Sequence, residues 1–242
     1  MRILLCGASG AIGREIASLA DPDSGISISA TANRTAFFPA KSDGDVLIDF
    51  SHPDLTERCL TRAVELNIPA VIGTTGLTPS CQERLEAASA HIPICQAANF
   101  SIGVNLMLSL VAHAARGLPE AFDIEISEMH HRRKLDAPSG TAIALGQAVS
   151  EARGNPRSAT NVLDRSQRRQ ARPLGEIGFQ VARGGDVAGE HTVYFLGNGE
   201  RLEISHRATN RSIFARGALL AAKKLLGRDA GRVEFGSLLL DE

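Results

Sequence analysis

Aromatic residues, cysteines and long apolar runs are all scarce in this sequence. There is no tryptophan and one tyrosine, and none of the four cysteines belongs to a CxxC pair. With no secretory leader ahead of the first strand pattern, this cysteine usage predicts a reducing, cytoplasmic location. No apolar run approaches the ~18 residues that a transmembrane helix requires, so we expect no membrane partner. A chain of 242 residues that is 43% hydrophobic is neither disordered nor a disulfide-stapled miniature scaffold.

Net charge is missing as well, because 26 basic residues offset 27 acidic ones and leave a formal charge of -1. No global field therefore attracts nucleic acid or an anionic membrane, although a local cationic pocket is compatible with this balance. Only four of the basic residues are lysines, and one of them, Lys134, lies inside the densest motif of the chain.

Short apolar runs alternate with helical stretches through the first hundred residues, and Gly, Pro, Asn or Asp separate them. This βαβ order predicts a parallel sheet with helices on both faces. The expected strands are Arg2–Cys6, Ile26–Ala32, Asp45–Phe50, Ala70–Gly73 and Ile92–Gln96, and the expected helices are Ala11–Ala20, Pro53–Leu66 and Pro79–Ala90.

The pattern changes after a helix expected at Asn105–Arg116. The runs that follow predict an α+β arrangement, an open mixed or antiparallel sheet with helices on one side. Its strands are expected at Phe122–Glu128, Ile177–Arg183, His191–Leu196 and Arg201–His206, with a helix at Gly140–Ala152. A final helix expected at Ile213–Leu226 could pack on either half. We therefore predict an α/β protein of two domains.

Three glycines, Gly7, Gly10 and Gly13, lie between the first strand and the first helix. Glycines at this point permit a tight turn and let backbone N–H groups approach a pyrophosphate, which predicts a dinucleotide site. The alternative is a glycine-rich turn with nothing bound.

The second strand ends at Asn33 and Arg34, where such folds usually have an acidic residue for the ribose hydroxyls. An uncharged Asn does not repel a 2′-phosphate and Arg34 can pair with one, so NADPH should be tolerated or favoured over NADH unless Arg34 is only a solvated loop residue.

Two loops of small residues follow later strands of the same predicted sheet. Gly73-Thr74-Thr75-Gly76 follows the fourth strand and Ala97-Ala98-Asn99-Phe100-Ser101 follows the fifth. The carboxyl ends of parallel strands are where open α/β sheets bind ligands, and hydroxyls and amides there suit a nicotinamide carboxamide. The alternative is that both segments are ordinary tight loops without a ligand.

The segment from Glu128 to Thr141 carries two histidines, two arginines and Lys134 in five consecutive positions, and then Pro-Ser-Gly-Thr opens a helix. Cations beside a helix N-terminus predict a site for a carboxylate or phosphate, and a histidine there can exchange a proton near neutral pH. A metal site is less favoured, since adjacent histidines on an extended segment point apart and no Cys or acidic ligand has matching spacing.

A second basic stretch raises the possibility of a nucleic-acid patch. It comprises Arg153, Arg157, Arg165, Arg168, Arg169 and Arg172. No aromatic residues interleave with these arginines for base stacking, so we interpret the stretch as a solvated loop. The glycine-rich segment from Arg183 to Thr192 is either a ligand loop or a bulged hairpin.

Taken together, the segments GASGAIG, GTTG, AANFSIGVN, EMHHRRKLDAPSGTA, RGGDVAGEHT and HRATNRSIFARGA resemble the 4-hydroxy-tetrahydrodipicolinate reductase (dihydrodipicolinate reductase) family of diaminopimelate and lysine biosynthesis. The resemblance covers nearly the whole chain. It implies a Rossmann-type domain at residues 1–100 completed by residues 213–242, a substrate-binding and tetramerisation domain at residues 101–212, NADPH or NADH as the cofactor, a cyclic dicarboxylate as the substrate, and a homotetramer. Two positions depart from the family pattern: Asn33 often is acidic and Arg133 often is a third histidine.

The resemblance also implies roles for individual residues. His130 would donate and accept a proton, Lys134 would donate a proton and anchor the substrate, and His131 would bind the substrate. Gly140 and Thr141 would bind a substrate carboxylate through the helix N-terminus. The cofactor would be held by Gly7, Ala8, Ser9, Gly10, Ala11, Ile12, Gly73, Thr74, Thr75, Ala97, Ala98, Asn99 and Phe100.

Two other classes share the glycine loop. A dehydrogenase of the aspartate-semialdehyde type needs a nucleophilic cysteine, for which Cys95 is the plausible candidate because it lies close to a loop of the predicted site. A non-catalytic NAD(P)-binding module would bind the cofactor and never consume it.

Overall fold

Apolar strands and amphipathic helices alternate through the first hundred residues of the computed structural model, which describes residues 1–154, 161–166 and 168–240. The strands are β1 (Arg2–Cys6), β2 (Ser27–Ala32), β3 (Val46–Asp49), β4 (Ala70–Ile72) and β5 (Pro93–Gln96), and the helices are α1 (Ala11–Leu19), α2 (Pro53–Leu66) and α3 (Pro79–Ser89), with a 3₁₀ turn at Pro22–Ser24. Pro53 and Pro79 open α2 and α3, where the absent N–H costs no helical hydrogen bond.

The later elements are α4 (Ile102–Gly117), β6 (Asp123–His130), α5 (Gly140–Ala152), β7 (Asn161–Val162), β8 (Ile177–Arg183), β9 (Gly189–Leu196), β10 (Arg201–Ala208), α6 (Ser212–Leu225), β11 (Gly231–Arg232) and α7 (Phe235–Leu240). None of the helices in the described part of the chain is long and apolar enough to cross a membrane.

Six strands form a parallel sheet in the order β11-β5-β4-β3-β1-β2. One face packs on α1, α6 and α7, and the other packs on α2 and α3, so strand residues such as Leu4 and Ile48 are fully buried. The prediction of a parallel sheet covered on both faces is confirmed. Its consequence for function is that the loops after β1 to β5 all gather at the carboxyl edge.

Five strands form a second, mixed sheet in the order β10-β9-β6-β8-β7. The β6–β8 and β7–β8 pairs are parallel, whereas β6–β9 and β9–β10 are antiparallel. Ile126, Phe179 and Val193 pack from one face of this sheet against residues of α4 and α5, such as Val111 and Leu145. The Rossmann-type sheet and the second mixed sheet are the predicted fold class.

The chain divides into two compact units. The first comprises residues 1–102 and 211–242, and the second comprises residues 103–210. Within the first unit α6 inserts Ala218 and Leu225 into the core beside β1, β3 and the aromatic pair Phe100 and Phe235.

The arginine-rich stretch differs from the solvated loop that we expected. Arg165 pairs with Glu125 and Glu176, and Arg172 pairs with Asp123 and Glu125. These ion pairs tie the stretch to β6 of the second sheet. Charge complementarity between segments about 40 residues apart is invisible to local composition, which explains the error. Arg157 lies outside the described residues.

Candidate active site

The glycine loop after β1 is built from close backbone contacts that only glycine permits. Gly7 has a φ of +81°, and a Cβ built there would lie 2.2 Å from the carbonyl oxygen of Phe50. A Cβ on Gly13 would lie 2.1 Å from the Gly7 oxygen. Gly10 caps α1 without a side-chain hydrogen bond, so the first amides of the helix, at Ala11 and Ile12, are left to other partners. The loop therefore fits a pyrophosphate.

A cleft of about 390 Å³ opens beside this loop. The structure brings the predicted residues Gly7, Ser9, Gly10, Asn33 and Arg34 together around it, with Thr35, Phe50, Ser51, His52 and Leu55. The Oδ1 atom of Asn33 accepts hydrogen bonds from Thr35 N, Thr35 Oγ1 and Ala36 N, at 2.9, 2.8 and 2.9 Å. Asn33 thus shapes the turn that presents the exposed Arg34 at the rim of the cleft.

The Gly73–Thr75 loop is fixed from behind by the buried carboxyl group of Asp49. Thr74 Oγ1 donates to Asp49 at 2.9 Å and accepts from Ser51 N at 2.8 Å, so the Thr74 hydroxyl is used within the protein. Thr56 and Ser51 also donate to Asp49, whose pKa is raised by burial. A Cβ on Gly73 would lie 2.2 Å from the Phe50 ring. What this loop can offer a cofactor is its backbone and the exposed Thr75.

The Ala97–Phe100 segment follows β5 at the same edge of the sheet. Ala97 N bonds Ile72 O at 3.1 Å, Ala98 is exposed, and Asn99 Oδ1 accepts from Ser101 N at 2.8 Å. The side chain of Phe100 is 1% exposed and packs on Phe50 and Phe235. Its apolar ring contributes to the core, and its backbone alone could meet a cofactor.

In the second unit, His130 ends β6 and is bound to Glu128, two residues earlier on the same strand face. His130 Nδ1 hydrogen-bonds Glu128 Oε2, and Arg183 makes a bidentate pair with Glu128 at 2.9 and 3.0 Å. Burial disfavours the Glu128 charge, but hydrogen bonds from Arg183, His130 and Ser139 outweigh it and lower its pKa. Burial lowers the pKa of His130, while Glu128 opposes that shift. The pair can hold and exchange a proton.

Lys134 lies in the loop after β6, with its Nζ atom 2.8 Å from Asp136 Oδ2. Asp136 is more than half exposed, so its ion pair with Lys134 is weak. A substrate carboxylate could therefore compete for the ammonium group. The backbone N–H of His131 bonds Val187 O at 2.8 Å, and Gly184 N bonds His130 O at 2.9 Å. The glycine-rich segment that follows β8 therefore lies directly along the histidine motif.

Helix α5 begins beside Glu128 and His130. Its cap, Ser139, accepts a hydrogen bond from Ala142 N at 3.2 Å, and Ser139 N donates to Glu128 at 3.0 Å. Gly140, at the first helical position, is exposed and has no neighbour within 4 Å of where a Cβ would be. Thr141 follows in the same turn. The positive end of the helix dipole therefore lies at Gly140 and Thr141.

Sequence reasoning missed four members of this cluster: Glu128, Ser139, Arg183 and His191. His191 on β9 is 4% exposed, lies 3.1 Å from Ser139 Oγ and packs its ring on His130. Burial, and then the charge of His130, lower the pKa of His191 to about 4. The spacing of Glu128 and His130, i and i+2 on a strand, was the signal that could have found the pair.

An acidic group does match a histidine pair, contrary to the prediction from spacing: Glu128, His130 and His191 offer ligand atoms within 4.8 Å of one another. A cation here would meet Arg183 and Lys134, and Glu128 already accepts from Arg183, His130 and Ser139. The charges of the cluster therefore suit an anion better than a metal ion.

The four cysteines are all buried free thiols, which bears on the nucleophile hypothesis. Cys95 lies inside β5 with 0% exposure, and burial raises its pKa to about 12. A thiol that stays protonated and has no access to a substrate is not a nucleophile. The aspartate-semialdehyde type of mechanism is not favoured.

Comparison with known families gives a match over both units. A family model described as "Dihydrodipicolinate reductase, N-terminus" matches residues 1–100, and one described as "Dihydrodipicolinate reductase, C-terminus" matches residues 103–239. The 4-hydroxy-tetrahydrodipicolinate reductase of Pseudoalteromonas translucida is 45% identical over 88% of this chain and 80% of its own length. That of Methylocella silvestris is 41% identical over 99% of this chain and 97% of its own.

Solved structures share the fold. A dipicolinate-bound dihydrodipicolinate reductase from a Paenisporosarcina species has a TM-score of 0.76 at 23% identity, covering 97% of each chain. A DAP dehydrogenase from C. glutamicum, in complex with DAP, has a TM-score of 0.54 at 13% identity, covering 100% of this chain and 96% of its own.

Proposed function

The chain belongs to the dihydrodipicolinate reductase family, and from that premise we propose that His130, Lys134 and the start of α5 carry its chemistry on a cyclic dicarboxylate. The protein is an oxidoreductase that reduces 4-hydroxy-tetrahydrodipicolinate with NAD(P)H. The observation that carries the assignment of residues is the cluster in which cations, a buried Glu128–His130 pair and a helix N-terminus meet in the second unit.

The first unit fits the cofactor. The contacts of Gly7 and Gly13 leave no room for side chains at the loop, so backbone amides can approach a pyrophosphate there. The adjoining cleft offers Asn33 and Arg34 to the adenosine end. When bound, the reduced nicotinamide supplies the hydride.

The second unit supplies two kinds of group to the substrate. A dicarboxylate needs two anion anchors, and Lys134 with the first turn of α5 at Gly140 and Thr141 provides them, beside His131. Reduction of a conjugated imine also needs a proton at the carbon next to the one that receives hydride. His130 Nε2 supplies it, since Nδ1 is held by Glu128.

Three further features belong to this proposal: a preference for NADPH, a homotetramer and a cytoplasmic location. Arg34 beside an uncharged Asn33 supports the cofactor preference. The face of the second sheet that lies opposite α4 and α5 supports the homotetramer. It presents Thr192, Tyr194 and Leu196, none of which joins the core, so another subunit could pack there. Size-exclusion chromatography with light scattering tests the assembly.

The activity is tested by mixing the purified protein with NADPH or NADH and following loss of the reduced cofactor. We expect oxidation only when freshly made 4-hydroxy-tetrahydrodipicolinate is added, and faster with NADPH. Binding of cofactor without oxidation in the presence of this substrate would instead favour a non-catalytic binding module. His130→Asn is expected to bind cofactor and lose turnover.

A further inference from the structure

Both carboxylate oxygens of Glu128, in the second unit, accept hydrogen bonds from within the protein. Its carboxylate is 1% exposed, and its two oxygens receive Arg183 at 2.9 and 3.0 Å, Ser139 N at 3.0 Å and His130 Nδ1. These donors come from β6, β8 and the cap of α5. A buried carboxylate with so many donors is held in one position and remains ionised.

The strand register explains how these groups meet. Glu128 and His130 are two residues apart on β6, so both side chains lie on the same face. His130 pairs with Arg183 in the parallel β6–β8 ladder, which places the guanidinium group next to the same strand end. Arg183 also donates to Asp136 O at 2.5 Å, and thereby ties the Lys134 loop to the pair.

This arrangement leaves one nitrogen of His130 for chemistry. Nδ1 is committed to Glu128, so a neutral His130 has its lone pair on Nε2, and a protonated His130 has a transferable proton there. Gly189 lies beside Nε2 and has no side chain to cover it. The other charged or titratable groups that face His130 are Lys134, Arg183 and the neutral His191 of β9.

We propose that Glu128 is a positioning residue for the reaction: held by Arg183 and Ser139, it fixes His130 with Nε2 toward the substrate and supplies the negative charge that stabilises the protonated imidazole. The proton leaves from Nε2 while the Nδ1–H bond to Glu128 persists. The inference rests on the proposed role of His130.

The experiment compares the full-length wild type with Glu128→Gln, Glu128→Asp and Glu125→Gln. Glu125 is the matched control, since it lies on the same strand and is ion-paired, but with Arg165 and Arg172 and not with His130. His130 is titrated by NMR, with its signals assigned through His130→Asn, and kcat/KM is measured against pH. Circular dichroism and thermal melting test folding, because the cofactor residues belong to the other unit.

An opposite charge in contact with an imidazole raises its pKa by about 1 unit or more. Glu128→Gln should therefore lower the pKa of His130 by about 1 unit. The limb of the kcat/KM profile that depends on His130 should move to lower pH by the same amount. The variant should lose more in kcat than it changes in KM. Glu128→Asp should keep the position of the limb at a lower kcat, and Glu125→Gln should leave the His130 titration unmoved.

An unmoved titration in a folded Glu128→Gln would overturn the proposal. If that variant does not fold, a Glu128→Asp protein with wild-type kcat would overturn it as well, because the shortened side chain keeps the charge near His130 but loses the geometry that orients its ring. The proposed function fails in a different way: a His130→Asn protein that retains turnover removes His130 from catalysis, whatever Glu128 does to its titration.

Discussion

Gly189 lies against the imidazole of His130, where a Cβ on Gly189 would be 3.0 Å from Nε2. Gly189 also has a φ of +157°, a conformation that other residues rarely adopt. The glycine-rich segment between β8 and β9 therefore has a local reason for this glycine, because a side chain there would crowd the His130 ring. Of the two interpretations of that segment, the contact favours a functional loop over a hairpin without a partner.

Gly189→Ala should destabilise the protein by about 1 to 2 kcal/mol because of the backbone conformation, and should lower kcat roughly tenfold or more by displacing His130. Thermal melting and steady-state kinetics measure the two effects. Gly184→Ala is the control in the same loop, since a Cβ there meets nothing within 4 Å, and it should behave as wild type. Equal kinetic losses in both variants would contradict the explanation.

The glycine loop offers a second matched pair. Gly7→Ala places a Cβ 2.2 Å from Phe50 O at a positive φ and should cost about 3 kcal/mol of unfolding free energy. Gly10→Ala meets its nearest atom, Gly7 O, at 3.2 Å with a φ of −74° and should cost less than about 1 kcal/mol. Urea denaturation of the two variants tests this order, which a reversed ranking would refute.

Cofactor preference can be tested without disturbing the loop that carries it. Asn33→Asp keeps the Oδ1 acceptor for Thr35 and Ala36, so the turn should persist while a negative charge is added next to Arg34. Repulsion of the 2′-phosphate should weaken NADPH binding about tenfold, which corresponds to about 1.4 kcal/mol, and leave NADH binding nearly unchanged.

Fluorescence titration with both cofactors gives the two dissociation constants. Arg34→Ala should produce the same selective loss of NADPH affinity. A parallel loss of NADH affinity in either variant would mean that these residues do not recognise the 2′-phosphate.

Sequence periodicity predicted the long elements well, since Arg2–Cys6, Pro53–Leu66, Gly140–Ala152 and Ile177–Arg183 have the expected bounds. The motifs also predicted the family correctly. The shortest strands, Asn161–Val162 and Gly231–Arg232, were missed because two residues carry no alternation. These strands are specified by pairing with neighbours distant in the chain, not by their own residues.

The sequence predicted candidate site residues only where they belong to one continuous segment of the chain. His130, Lys134 and Gly140 share one segment, and a cation cluster before a helix is visible in sequence. Arg183 contacts Glu128 across 55 positions, and that contact depends on the β6–β8 register. Phe100 shows what a motif does not reveal, because its ring packs into the core and leaves only its backbone for a cofactor.

Lys134→Ala should lower kcat/KM by about 100-fold or more, because it removes the proposed anchor for a substrate carboxylate. Its affinity for NADPH should stay at the wild-type value, since the cofactor residues belong to the other unit. Lys41→Ala, which removes an exposed lysine, is the control for loss of charge. A variant that loses turnover and cofactor binding equally would indicate misfolding.

Stability should fall in mildly acidic solution because His191 is buried as the neutral imidazole. Its pKa is about 4 in the folded protein against an ordinary value of 6.5, so the unfolded chain binds the extra proton between those values. The stabilisation is complete above pH 6.5 and is lost as pH falls toward 4. A difference of this size corresponds to about 3 kcal/mol. Urea denaturation across that range should show the loss in wild type and a much flatter dependence in His191→Asn, whereas identical slopes would show that another group controls it.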